Sequence, residues 1–209
     1  MPEHDHAVDP PYRIVTDRLV LRCWEPRDAP LLKDAIDSSL DELRPWMDWV
    51  HDEPTPVEDK VALLRRFRGR FDLGEDFIYG IFARDESEVV GGTGLHKRVG
   101  DGAFEIGYWI RTSCAGVGLA TEASAALTRA AFELCEVDRV EIRVEPGNGA
   151  SRRVPEKLGY SEEATLRRRL HNPDPRDVVV YTLFRDEFAE SPAAAASLEA
   201  YDAAGARVL

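Results

Sequence analysis

The sequence predicts a mixed α/β fold, with hairpin strands first and then strands alternating with helices. Three observations carry this. Period-two alternation marks "RLVLRCW" (Arg18 to Trp24), and strand-like runs recur at Phe77 to Asp85, Glu88 to Arg98 and Ala103 to Ile110. Ala120, Ala123, Leu127, Ala130, Ala131 and Leu134 recur at the three- and four-residue spacing of a helix face. At 209 residues, 44% of them hydrophobic and 32% charged, the chain has the size and composition of one domain with a substantial core.

The elements follow in order. Met1 to Pro11 is a polar, proline-bearing lead-in, and the domain proper is expected over 12–188. After the first strand, Pro26 and Asp28 open a helix whose apolar stripe is Leu31, Leu32, Ala35 and Ile36. Pro45 breaks the pattern just before Trp46, Met47, Trp49 and Val50. A second helix runs from Thr55 to Phe71, with Thr55 as N-cap and Pro56 at the first helical position. "DESE" makes the turn between the next two strands, and Gly100 to Gly102 the turn before the third. Arg139 to Pro146 is a strand, Ser151 to Tyr160 a short helix closed by Gly159, and Arg176 to Phe188 the last strand. The Ala-rich residues 189–209 read as a tail, helical or unstructured.

Charge and composition narrow the function. A formal net charge of −12 argues against a nucleic-acid partner, which needs a basic face, and suits a neutral or cationic substrate such as an amine. The 3 cysteines (Cys23, Cys114, Cys135) form no C-x-x-C pair and point to free thiols in a reducing compartment. The 5 histidines (His4, His6, His51, His96, His171) show no ligand spacing, so no metal is expected. No apolar run reaches membrane-spanning length and no secretory h-region opens the chain; a cytoplasmic protein with no membrane partner is the expectation.

"CAGVGLATEAS" (Cys114 to Ser124) places two glycines directly ahead of the helix. A nucleoside-triphosphate loop fails, because no lysine follows the glycines. A dinucleotide fingerprint fits poorly, since its third glycine is Thr121 and Arg111 to Ala115 separate the glycines from the strand. Two readings remain. A pyrophosphate can lie at the helix N-terminus, cradled by unpaired amides, or Gly116 and Gly118 simply make a turn and allow tight helix–sheet packing.

"EIGYWI" (Glu105 to Ile110), "AGVGLATEA" and "NGASRRVPEKLGY" (Asn148 to Tyr160) follow one another in the order and spacing of one family. From about Arg18 to Phe188 the chain resembles the GNAT superfamily of acyl-CoA N-acyltransferases. Within it, it is most similar to the Rim-type enzymes that acetylate the N-terminal alanine or serine of ribosomal proteins. The resemblance implies a central twisted, mostly antiparallel sheet of six to seven strands flanked by helices. That sheet is splayed between two parallel strands, here Ala103–Ile110 and Arg139–Glu145. It also implies acetyl-CoA as co-substrate, no metal, and direct attack by a primary amine in a ternary complex.

Residue by residue, the resemblance assigns the pyrophosphate to Ala115, Gly116, Val117, Gly118, Leu119, Ala120 and Thr121. Ala115 departs from the family's Gln or Arg, which removes one side-chain contact but leaves the backbone cradle. An amide near Trp109 or Ile110 polarises the thioester carbonyl. Asn148 and Ser151 meet the pantetheine arm and the sulfur, with Ser151 hydrogen-bonding the departing thiolate; Ser151 also reads as a helix N-cap. Glu105 is the candidate general base, its plainer reading being an ion-pair partner on the strand.

The position where many relatives carry a general-acid tyrosine is Pro155, and Tyr160 reads as a core aromatic. Leu170 and His171 fall where Rim-type enzymes carry an acidic base; no carboxylate stands there, and His171 is a substitute. Cys114 reads as an ordinary thiol. Trp46 and Trp49, with Met47, fall where the family builds the acceptor groove, and Glu42, Asp48 and Asp52 nearby favour a cationic amine. Arg65 to Arg70 reads as a solvated helix face. A protein N-terminal amine stands ahead of a small-molecule amine (antibiotic, polyamine or amino-acid derivative) as acceptor. A non-catalytic acyl-CoA sensor is the rival from another class, and the chain is expected as a monomer or homodimer.

Overall fold

The protein is described by a computed structural model that covers residues 10–209. Within these residues nine strands form one sheet. Strands β1 (Arg13–Val15), β2 (Leu19–Cys23), β3 (Phe77–Ala83), β4 (Val89–His96) and β5 (Ala103–Ile110) pair antiparallel in chain order. β6 (Arg139–Val144) joins β5 in parallel. β8 (Pro175–Phe184) lies beyond β6, β7 (Ser161–His171) forms one edge, and β9 (Glu199–Tyr201) pairs with β1 at the other.

Helices cover both faces. α1 (Ala29–Asp37) and α3 (Val57–Asp72) pack with Val20, Trp24, Phe82 and Val89 on one; the four-residue α2 (Leu40–Leu43) follows α1. α4 (Leu119–Leu134) and α5 (Gly149–Leu158) pack with Leu21, Tyr79, Ile106 and Ile142 on the other. α1 buries Ala29, Leu32, Ala35 and Ile36, whereas Leu31 stays partly exposed. α6 (Arg185–Phe188) closes β8.

The sheet departs from the expected strands in three places. β7 is almost wholly exposed on both sides, so "SEEATLRRRLH" has no apolar alternation to reveal it; it forms by pairing with β8. β1 has three residues, too few for a periodic signal. The Ala-rich tail is neither helical nor unstructured: Pro192–Ala195 makes a 3-10 turn, and β9 is held by Ala200 N–H donating to the Leu209 carbonyl at 3.0 Å. Ala193 and Ala200 are fully buried, so packing of small side chains overrides the helix propensity of alanine. The cap of α3 also shifts. Pro56 is its N-cap, and Thr55 instead donates its amide and hydroxyl to Glu53 Oε2 at 2.8 and 3.1 Å.

The parallel pair is short. β5 and β6 register from Ala103↔Arg139 to Glu105↔Glu141, and beyond that point they no longer pair with each other. Arg111 N–H donates to the Val90 carbonyl at 2.8 Å. Strand alternation therefore turns the main-chain groups of Gly107 and Trp109 toward β4, and those of Tyr108 and Ile110 into the gap.

Candidate active site

On the α4 side the site is made of backbone. A 3-10 turn (Thr112–Cys114) leads from β5 to Ala115, Gly116, Val117 and Gly118, and no side chain caps α4. Gly116 and Gly118 have φ of +79° and +87°, the left-handed region that favours glycine. A Cβ on Gly116 would meet nothing within 4 Å, and one on Gly118 only Arg18 Nη2 at 3.7 Å. These glycines are not packed on the sheet; they set a backbone path under open space. Glu122 N–H returns to the Gly118 carbonyl at 3.0 Å, so the amides of Leu119, Ala120 and Thr121 precede the helix ladder and point outward with the positive end of its dipole.

Arg18 stands beside this cradle. Its guanidinium donates to the Val117 carbonyl at 3.0 Å and to Glu122 Oε2 at 2.6 Å, while Glu122 Oε1 accepts from Thr16 Oγ1 at 2.7 Å. A guanidinium from the β1–β2 turn, itself paired with Glu122, thus stands beside the cradle where Ala115 has no charge. Nothing in the glycine stretch signals this, because Arg18 lies far away in sequence.

In the gap, Asn148 Oδ1 caps α5 by accepting from Ser151 N–H at 3.0 Å, so Asn148, not Ser151, is the N-cap. The Ser151 hydroxyl is left to meet the Tyr108 hydroxyl at 2.9 Å. Tyr108 projects from the unpaired part of β5, and burial pushes its phenol well above its ordinary pKa, so it stays protonated at neutral pH. The sequence reading passed over Tyr108, although it lies inside "EIGYWI".

The opposite face of the sheet carries a cavity of about 670 Å³ between β4, β5, β6 and helices α1 and α3. It reaches through the gap: Glu105, Gly107 and Arg143 line it from the helix α1/α3 face, and Tyr108, Asn148 and Ser151 from the far side. Trp46, Trp49 and Trp109 form its mouth, with Trp49 edge-on to Trp109 at 5.9 Å between ring centroids. The backbone of Trp109 faces β4, so its part in the site is its indole, and of the two amides considered from sequence it is that of Ile110 that turns into the gap.

Charged side chains close the base of the gap. Glu105 and Glu141 are register partners, and three guanidiniums interleave to offset their repulsion. Arg98 donates to both oxygens of Glu105 at 2.9 and 2.5 Å, and Arg143 Nε lies 3.7 Å from Glu105 Oε2. Arg139 and Arg143 both reach Glu141 at 3.0 Å. Glu105 is buried and its two oxygens are already engaged.

Of the acidic residues near the tryptophans, Asp52 lines the cavity; Glu42 and Asp48 do not, and Glu42 accepts from Thr112 Oγ1 at 3.2 Å. Leu170 lines the cavity and His171 is exposed outside it. The tryptophan loop is tied to the β7–β8 turn: His51 Nε2 meets Asn172 Oδ1 at 2.6 Å, and Arg176 donates to the Pro45 carbonyl at 2.9 Å. Glu53 and Lys60 form a buried ion pair in the cavity wall. Tyr160 is buried and hydrogen-bonded to Thr128 Oγ1 at 2.6 Å, and Cys114 packs beside the core with Ser113 Oγ 3.8 Å away. Arg66 reaches the cavity, whereas Arg68 pairs with Asp72 at the surface. Among the described residues no cluster of acidic, histidine or cysteine side chains is placed to hold a metal ion, and no helix is long and apolar enough to cross a membrane.

Comparison with known proteins agrees with this architecture. The acetyltransferase (GNAT) domain family matches residues 18–161. The [Ribosomal protein uS5]-alanine N-acetyltransferase of Escherichia coli (strain K12) is 30% identical over 160 residues, covering 74% of this chain and 80% of its own. The structure of Mycobacterium smegmatis RimJ in complex with CoA-disulfide superposes with a TM-score of 0.75 at 27% identity, covering 88% of this chain and 90% of that one. RimL, the ribosomal L7/L12 α-N-protein acetyltransferase, in complex with coenzyme A, shares the fold with a TM-score of 0.75 at 23% identity, covering 82% and 97%. The sheet opened between two parallel strands, the uncapped glycine-led helix and these matches together make the chain a member of the GNAT acetyltransferase family, related to the ribosomal-protein N-acetyltransferases.

Proposed function

We propose that the protein transfers an acetyl group from acetyl-CoA to a primary amine by direct attack in a ternary complex, and that the acceptor is the N-terminal amine of a protein of the ribosomal type. One observation carries the reading: the cavity runs through the sheet, so a thioester laid in the gap from the α4/α5 side is open to an amine on the other side. The pyrophosphate would rest on the amides of Leu119 to Thr121 with Arg18 beside it, and the pantetheine arm would pair with the free edge of β5. The tryptophan mouth, with Asp52, suits a peptide end that brings a cation and apolar side chains.

The chemistry divides between the two faces. The amine nitrogen attacks the thioester carbon, and an amide turned into the gap from Tyr108 or Ile110 receives the developing oxyanion. As the C–S bond breaks, the Ser151 hydroxyl donates its proton to the thiolate, and the Tyr108 hydroxyl, which donates to the Ser151 carbonyl at 3.0 Å and meets its Oγ at 2.9 Å, holds Ser151 in place. The proton leaving the amine needs an acceptor on the cavity side. Glu105, the residue expected from sequence, is there, with both oxygens on Arg98.

The test is release of CoA thiol from acetyl-CoA across peptides beginning with Ala or Ser and a set of small amines, with the products identified by mass. Fastest turnover on the peptides supports the reading; turnover confined to small amines moves the acceptor to that class. Coenzyme binding without turnover on any amine would leave a sensor.

A further inference from the structure

We infer that His96, oriented by Asp76, is the general base that takes the proton from the acceptor amine; the inference rests on the transferase reading above. His96 ends β4, is the register partner of Glu105, and lines the cavity. Its Nδ1 lies 2.8 Å from Asp76 Oδ1, and both side chains are largely sheltered, at 16% and 20% exposure. The carboxylate fixes a proton on Nδ1 of the neutral ring, which leaves Nε2 as a lone-pair acceptor. Among the described residues Nε2 has no hydrogen-bond partner.

The position of Nε2 is what distinguishes this ring. It lies across the cross-strand glycine pair Gly94↔Gly107: a Cβ on Gly94 would stand 2.8 Å from Nε2, and one on Gly107 3.4 Å from it. Any larger side chain at Gly94 would displace the imidazole. Gly107 belongs to the stretch of β5 that has left β6, next to Tyr108, whose amide turns into the gap. Nε2 therefore stands on the acceptor face of the strand along which the thioester would lie. The charged groups around it are Asp76 from the segment entering β3, Glu105 from β5, Arg98 following β4 and Arg143 from β6. Arg98 occupies Glu105, which leaves the imidazole as the unengaged base.

The step balances without a further reactant. The amine lone pair forms the N–C bond and the carbonyl π pair moves to oxygen. The proton on nitrogen passes to His96 Nε2, and collapse of the oxyanion breaks C–S. The thiolate takes the Ser151 hydroxyl proton, which water replenishes as His96 returns its own proton to water, giving the amide and CoA thiol.

The experiment compares His96→Gln, Asp76→Asn and Glu105→Gln in the full chain, with the best acceptor from the amine panel and with acetyl-CoA affinity measured for each. His96→Gln should lower kcat about 100-fold or more and remove the acid limb of the pH–rate profile, with acetyl-CoA affinity within about threefold of wild type. Asp76→Asn, which keeps the ring but not its proton arrangement, should lose about tenfold and shift that limb. Added imidazole should restore part of the activity of His96→Gly, which a purely structural role would not allow. Wild-type turnover kept in His96→Gln, or lost in Glu105→Gln alone, overturns the inference and leaves the transferase reading standing. A wild type that binds acetyl-CoA yet acetylates no amine overturns both.

Discussion

The two sides of the sheet solve different problems with different materials. The α4/α5 side offers main-chain groups: amides at an uncapped helix, a free strand edge, and two left-handed glycines that hold the path open. The α1/α3 side offers side chains: three tryptophans at a mouth, a buried ion pair in a wall and a sheltered imidazole over a glycine pair. Backbone recognises what every member of a family binds, because it survives sequence change; side chains recognise what differs among members. The glycine-led helix can be read from a motif, whereas the Asp76–His96 pair on the other face comes only from the folded chain.

That contrast can be broken at its strongest point by removing a side chain that acts only through a partner. Lys60→Met removes the cation from beside the buried Glu53 carboxyl in the cavity wall and should cost about 3–5 kcal/mol of stability, read by denaturant unfolding. Any acetyl-CoA affinity that remains per folded molecule should be unchanged. Gly118→Val acts on the other side: a left-handed β-branched residue costs about 1–2 kcal/mol of strain, and its side chain enters the coenzyme's space. Calorimetry should show acetyl-CoA binding weakened by about tenfold or more.

Two smaller effects sharpen the boundary. Tyr108→Phe should reduce kcat about tenfold without altering acceptor KM, because a thiolate is a good leaving group and needs limited acid assistance. Because burial raises the phenol's pKa, Tyr108 stays a donor through neutral pH, and the mutation should not introduce or remove a limb of the pH–rate profile between pH 6 and about 9. Trp49→Ala should raise acceptor KM about three- to tenfold and leave acetyl-CoA affinity within error, a split that assigns the indole to the acceptor side alone.

Much of the frame was legible because it depends on local pattern. Strand β5 and the α5 terminus at Gly159 lie where alternation and the glycine place them, and the two expected parallel strands do open. β7 was hidden because neither of its faces is buried, and β9 because small residues in a packed groove look like helix formers. In the site, Ser151, Asn148, Trp46 and Trp49 were visible through family spacing and all line the cavity. Arg18, Tyr108 and the Asp76–His96 pair were not singled out. Asp76 and His96 meet only through the β3–β4 register, and Arg18 reaches the glycine loop only once β2 is beside α4. Glu105 was singled out through the family resemblance, but its guanidinium partner Arg98 comes from outside the strand.

In the proposed reaction coenzyme and amine occupy the two faces at once and meet through the gap. Initial rates measured against acetyl-CoA at several fixed acceptor concentrations test it most directly. Double-reciprocal lines that intersect are the predicted result, the signature of a ternary complex. Parallel lines, with acetyl found on the protein in the absence of amine, would mean that the acetyl group is first carried by a side chain such as Cys114, and would exclude the ternary complex.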